Sequence, residues 1–177
     1  ATTYDFSGEA ASLMISRFGV MFFAEPAKTF ANLKRGLKAG GRVAFVCWRE
    51  PKLNPWLMLP YMAAVKHAPP LPKLGPEEPG PFGFADETRV RRIFGEAGFT
   101  DVTLTPLDFM LDVGVGEGLD NAVLKALEIG PASRALAGQP DAVREAARAE
   151  IRAALAERVQ GGEVPLAAAV WIIGAKA

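Results

Sequence analysis

The chain reads as an α/β protein built on a mostly parallel sheet, and three observations predict it. Two short apolar runs, Leu13 to Ile15 and Val43 to Trp48, flank a segment whose apolar residues recur at helical spacing. Half of the 177 residues are apolar, enough for a core of ordinary size. A second helix-then-strand phrase, 86–107, and a final apolar run near the C-terminus repeat the alternation on which such folds are built.

The first unit, 13–48, is the best marked. Leu13-Met14-Ile15 ends at Ser16-Arg17, and Phe18-Gly19-Val20-Met21-Phe22-Phe23 follows as an aromatic loop. Glu25-Pro26 suits a helix start, because Pro has no first-turn N–H to lose and an acid there complements the helix dipole. Phe30, Leu33 and Leu37 recur on one face, and Gly40-Gly41 is expected to stop the helix. Arg42 to Trp48 then reads as a strand, giving strand, helix, strand. Strands apolar on both faces are what a covered parallel sheet requires.

Segment 49–85 begins with a loop, and Asn54-Pro55 opens a helix from about Trp56 to His67, which Pro60 should bend or split. Six prolines and three glycines between Ala68 and Phe84 predict an extended surface loop. In 86–107, Asp86 caps a helix ending at Gly98, and Phe99 to Thr105 alternates as a half-buried strand. Segment 108–160 is expected to be helical, with Leu119 to Leu127 and then Pro140 to Gln160 carrying the stripe Val143, Ala147, Ile151, Leu155 and Val159. The last strand falls within 164–175, with Pro165 at its first residue.

Ser16-Arg17-Phe18-Gly19-Val20-Met21-Phe22-Phe23, then Phe30-Ala31-Asn32-Leu33, then Gly40-Gly41-Arg42-Val43-Ala44-Phe45-Val46-Cys47-Trp48-Arg49, together resemble the second half of class I S-adenosylmethionine-dependent methyltransferases of the UbiE-like, small-molecule type. Ala97-Gly98-Phe99 to Val102 adds to the resemblance. The chain departs from the family pattern at Ala11-Ser12, where an aromatic and an acidic residue are usual, at Glu25 in place of Asp, and at Ala39 in place of Pro. The resemblance implies a Rossmann-like methyltransferase sheet in which the two strands of the first unit are the fourth and fifth. The last strand would be the seventh, antiparallel between the fifth and sixth. The family's glycine-rich cofactor turn and the acid that holds the ribose belong upstream of Leu13. The expectation is therefore a truncated, single partial domain, lacking the first three strands and that turn.

Ser16, Arg17 and Phe18 stand where open α/β sheets bind ligands, at the carboxyl end of a strand. By the resemblance they would wall one side of an S-adenosylmethionine site, with Phe22 or Phe23 beneath it; otherwise they are a strand end packing aromatics. Trp48, Asn54, Trp56 and Met58 are either a face for a small-molecule methyl acceptor or plain packing, and both readings stay open. Asp112-Val113-Gly114-Val115-Gly116-Glu117-Gly118 imitates a cofactor fingerprint, but helical segments rather than a second strand and acid follow it, so it reads as a flexible turn entering a lid helix. The lone His67 shows no carboxylate partner in the sequence and is expected to be exposed, and Cys47 to be a small buried hydrophobe.

No catalytic acid or base and no metal-ligand cluster can be picked out. Methyl transfer from a sulfonium needs alignment more than acid or base, so their absence is compatible with that chemistry. Twenty basic residues balance twenty acidic ones, which gives no reason to expect a nucleic-acid partner. No apolar run approaches bilayer-spanning length, and one cysteine suits a reducing cytoplasm. An apolar edge at 13–17 would accept the N-terminal half of the fold or a second copy of the chain. Two functions follow: methyl transfer completed by upstream residues, or a non-catalytic remnant of the fold serving as a dimerisation or interaction module.

Overall fold

The computed structural model describes residues 1–75 and 77–177; Pro76, within the expected Pro-rich loop, lies outside the described residues. The chain divides into two compact units, the first comprising 1–50, 74–107 and 169–177 and the second 51–73 and 108–168. The four strands are β1 (Ala11–Arg17), β2 (Leu37–Trp48), β3 (Thr100–Asp112) and β4 (Pro165–Lys176), hydrogen-bonded in the order β1-β2-β4-β3.

In the first unit, α1 (Pro26–Arg35) connects β1 to β2, which run parallel with Leu13 opposite Arg42 and Arg17 opposite Val46. This is the expected strand, helix, strand unit. β4 returns antiparallel along β2, Arg42 facing Lys176 and Trp48 facing Val170.

The helix ends earlier than expected, at Gly36, and Leu37 begins the strand instead of continuing the helical stripe. Between Ala11↔Leu37 and Leu13↔Arg42, two steps of β1 match five of β2, so Lys38 to Gly41 form an outward irregularity in the ladder. Gly40 sits there at φ +71. The glycine pair serves a strand bulge, a need that a helix stop imitates in sequence.

Phe30 is fully buried at the centre of an aromatic cluster, with Phe94 4.7 Å away and Phe23, Phe45 and Phe84 within 5.8 Å by ring centroid. Truncating such a ring to Ala costs about 3–5 kcal/mol. Phe94 belongs to α3 (Glu87–Glu96), which begins where Asp86 accepts the Arg89 N–H at 3.1 Å, the cap expected from sequence. Arg89, itself 8% exposed, donates to the carbonyls of Gly83 (2.8 Å) and Glu77 (2.9 Å), and Arg92 grips the Glu77 carboxylate at 2.7 Å. The Pro-rich segment is thus held against α3 by guanidinium-to-backbone bonds, which composition does not disclose. Cys47, in β2, is fully buried, and desolvation pushes its thiol up to about 12.

β1 is the end strand of the sheet, and Leu13 (48% exposed) and Ile15 (76%) face outward. Coverage on both faces, expected for both strands of the unit, therefore holds for β2 and not for β1.

The second unit packs α2 (Pro55–Ala64), α4 (Gly118–Glu128), α5 (Gly130–Leu136) and α6 (Asp141–Ala156) around Ala64, Val123, Ala147, Ile151 and Leu155. Pro60 is accommodated inside α2 without splitting it. The α6 stripe is buried at Ala147, Ile151 and Leu155, but the helix stops before Gln160. There Gln160 and Glu163 exchange backbone bonds of 2.9 and 3.0 Å across Gly161 and Gly162, both at positive φ, a two-residue hairpin turn in place of a last helical turn.

Residues 108–112, expected to be helical, continue β3, an outer strand of the sheet. Pro106 is tolerated within it because an outer strand has one side with no ladder bond to lose. α5 falls within the segment expected to be helical, and Pro131 stands in its first turn, where Pro has no N–H bond to lose.

Candidate functional site

The carboxyl ends of β1 and β2 lie side by side in the first unit, and both carry aromatic residues. Phe18, immediately after β1, donates its N–H to Val46 O at 2.9 Å and so extends the ladder by one bond. Its backbone is left-handed, φ 58, which is unfavourable for a bulky L-residue. That conformation lays its ring flat on Trp48, centroids 4.0 Å apart and planes 6° from parallel. Of the residues expected to form the site, Phe18 and Trp48 are therefore brought together.

Ser16 is half-buried in β1, and its hydroxyl would lie 3.1 Å from a Cβ placed on Gly19. Arg17 is exposed. Phe22 closes a short 3-10 turn, Val20–Phe22, whose first two residues are buried while Phe22 is 53% exposed. Phe23 instead turns inward, edge-on to Phe30 at 5.7 Å.

A neighbouring pair was not anticipated. The guanidinium of Arg49, directly after Trp48, stands 4.7 Å from the centre of the Trp171 ring, and Trp171 donates its indole N–H to Ala85 O at 2.9 Å. Arg49 N–H also reaches Ala169 O at 3.0 Å. Arg49 was visible within the family-like phrase, but nothing in the sequence near Trp171 marks it as a partner.

Trp56 and Met58 belong to α2 in the second unit. The Trp56 indole N–H donates to the Asn54 carboxamide at 3.3 Å, and Asn54 is fully buried at the helix start. Met58 is half-buried and, with Lys52, Leu59 and Met62, lines a shallow depression.

The glycine-rich segment after β3 is a constrained turn. Asp112 accepts from the N–H groups of Gly114 (3.0 Å), Gly116 (2.6 Å) and Val164 (2.9 Å), and the bond from Val164, with the others, holds its carboxyl below the usual carboxylate range. Those N–H groups are already engaged by the side chain, so the turn does not present them to a ligand. His67 is not without a carboxylate: its Nε2 lies 3.9 Å from Glu150, which also pairs with Lys66. The two residues are far apart in sequence and are joined by the packing of α2 on α6. Among the described residues, no group of three His, Cys, Asp or Glu could hold a metal ion, and no helix is long and apolar enough to cross a membrane.

No protein-family model and no curated protein matches the chain. Solved structures do resemble it. The YcgJ protein from Bacillus subtilis aligns with 99% of this chain and 67% of its own, at 11% identity and a TM-score of 0.52. Weaker likenesses include BH2331 from Bacillus halodurans, a candidate methyltransferase, with 14% identity, 99% and 68% coverage and a TM-score of 0.46. Another is phosphoethanolamine N-methyltransferase 2 from Haemonchus contortus in complex with S-adenosyl-L-methionine, with 14% identity, 93% and 33% coverage and a TM-score of 0.38. The fold, a four-stranded mixed sheet in which β4, antiparallel to β2, lies between β2 and β3, is Rossmann-like.

Proposed function

We propose that the chain supplies the C-terminal half of a UbiE-like S-adenosylmethionine-dependent methyltransferase of the cytoplasm that acts on a small-molecule acceptor. One observation carries the reading. A parallel pair, β1 and β2, meets an antiparallel β4 threaded between β2 and β3, with the Phe18–Trp48 stack at the carboxyl ends of the parallel pair.

The residues at those ends fit one side of the cofactor. The half-buried Phe18 ring, backed by the buried Trp48 indole, offers an apolar aromatic wall suited to a planar base or a methionine chain, and the half-buried Ser16 adds one hydroxyl. Neither β1 nor β2 contains an Asp or Glu to hold ribose hydroxyls, nor does a glycine-rich turn follow β1. In this proposal those parts come from strands that pair with β1. When bound, the cofactor would supply an electrophilic methyl group. The work of these residues is to orient it and keep water from its face.

A second reading is favoured by the exposure of Leu13 and Ile15 on the outermost strand: a non-catalytic remnant whose β1 edge pairs with another copy. Calorimetric titration with S-adenosylhomocysteine separates the two. Binding by the chain once it is extended by the coding sequence preceding Ala1, reduced by Trp48→Ala, supports the methyltransferase. Absence of binding by the extended protein, with a stable dimer in sedimentation, supports the remnant.

A further inference from the structure

The second unit contains a pocket of about 130 Å³, lined in part by Trp56, one of the residues weighed above as a face for a methyl acceptor. Its floor is Ala122, Ala132 and Leu155, each no more than 1% exposed, and its rim is Val115 (69% exposed) and Ile129 (53%). The void exists because α4 and α5 present alanines where larger side chains would meet the Trp56 indole and Leu57 of α2.

The polar groups on its wall are already engaged. Asp112 accepts three backbone N–H groups, Lys125 is paired with Glu128 at 2.8 Å, and the Trp56 N–H donates to Asn54 at 3.3 Å. Water in the pocket would find few protein partners, and an apolar space of about this size is enough to accept a benzene ring.

The backbone at the rim is constrained. Val115 is β-branched yet left-handed, φ 51, an unfavourable conformation for such a residue. The Asp112 turn holds it there: Val115 N–H donates to Asp112 O at 3.2 Å and the flanking Gly114 and Gly116 N–H groups donate to the Asp112 carboxylate, which fixes the exposed Val115 side chain at the mouth.

We propose that this pocket is a binding site for a compact uncharged apolar group, an aromatic ring or a branched alkyl of about that volume, entered between Val115 and Ile129. The proposal rests on the pocket's own geometry, and its test requires no S-adenosylmethionine, so its failure is distinct from failure of the methyl-transfer reading.

The test is a titration of the full chain with benzene, followed by the methyl resonances of Leu57, Ile129 and Leu155, with benzoate as the charged counterpart. Saturable shifts at these methyls, with Val43 and Ile173 of the first unit unmoved and benzoate inert, are the expected result. Ala126→Leu, which fills the pocket from α4, should abolish the shifts. Shifts that do not saturate, that fall equally on Val43 and Ile173, or that benzoate reproduces, would overturn the proposal. Should Ala126→Leu not fold, Val115→Gly provides the second arm: it relaxes the rim while leaving the floor intact, and must retain saturable benzene binding.

Discussion

The ring of Phe18 lies on the indole of Trp48 at a centroid distance of 4.0 Å, and the stack depends on a left-handed backbone at Phe18, φ 58. Strain and stacking are thus coupled at one residue. Phe18→Ala loses the ring and keeps the unfavourable backbone, at a cost of about 2 kcal/mol. Phe18→Gly loses the same ring but relieves the backbone, and should be more stable than Phe18→Ala by about 1 kcal/mol. That reverses the usual order of the two substitutions, and urea midpoints of the two variants would show it. Equal midpoints would mean the backbone is not strained.

Asp112 joins the glycine turn to Val164, which is fully buried. Asp112→Ala leaves the Val164 N–H without that acceptor and should destabilise the chain by about 1–3 kcal/mol. The folded carboxyl lies below its ordinary value of 3.8. Its contribution is therefore complete above the unfolded value and is lost as pH falls below 3.8 through the folded one. In acid titrations of stability, the wild-type chain should lose in that window a contribution that Asp112→Ala lacks. Parallel curves for the two proteins would contradict this.

Gly41 is enclosed by backbone. A Cβ there would lie 2.8 Å from Lys38 O and 3.1 Å from Ala11 O. Gly41→Ala should destabilise the chain and disturb the bulge that sets the β1 register, whereas Gly40→Asn, at φ +71 with open space around it, should be nearly neutral. Amide exchange at Leu13 and Met14 would distinguish them, faster in Gly41→Ala alone.

The bulge also shows where the sequence was legible and where it was not. Phe30 on α1, the Asp86 cap and the run Val43 to Cys47 were readable because local period and capping chemistry have few alternative meanings. Gly40-Gly41 is ambiguous in sequence because a helix stop and a strand irregularity ask for the same residue. The β3 extension through Asp112 was hidden because most of that strand is exposed and carries Pro106, leaving no buried alternation to detect. The site was legible only as far as one strand end and its neighbour. Phe18 and Trp48 came together as adjacent parallel strands demand, while Arg49 over Trp171 and His67 beside Glu150 depend on long-range packing.

Glu150 is held below the ordinary carboxylate range first by its bond with Lys66. In Lys66→Ala its carboxyl resonance should titrate higher, with little change in fold, since Lys66 is exposed and Glu150 only half-buried. An unmoved titration would mean that the ion pair is not formed in solution.

If β1 accepts a strand from another chain, Ile15→Lys should leave the core intact, because Ile15 is 76% exposed, and abolish self-association. Sedimentation velocity of the two proteins is the measurement. A wild-type chain that is monomeric throughout, or a variant that associates as strongly, would remove the edge from consideration.

Cys47 has a practical consequence. It is the only sulfhydryl in the chain, sealed within β2, and at about 12 its proton is held too tightly for it to act as a nucleophile near neutral pH. An alkylating reagent can therefore modify only those molecules whose sheet has momentarily parted. The rate of that modification under native conditions is a built-in clock for how often the central ladder breathes, and it requires no engineered probe.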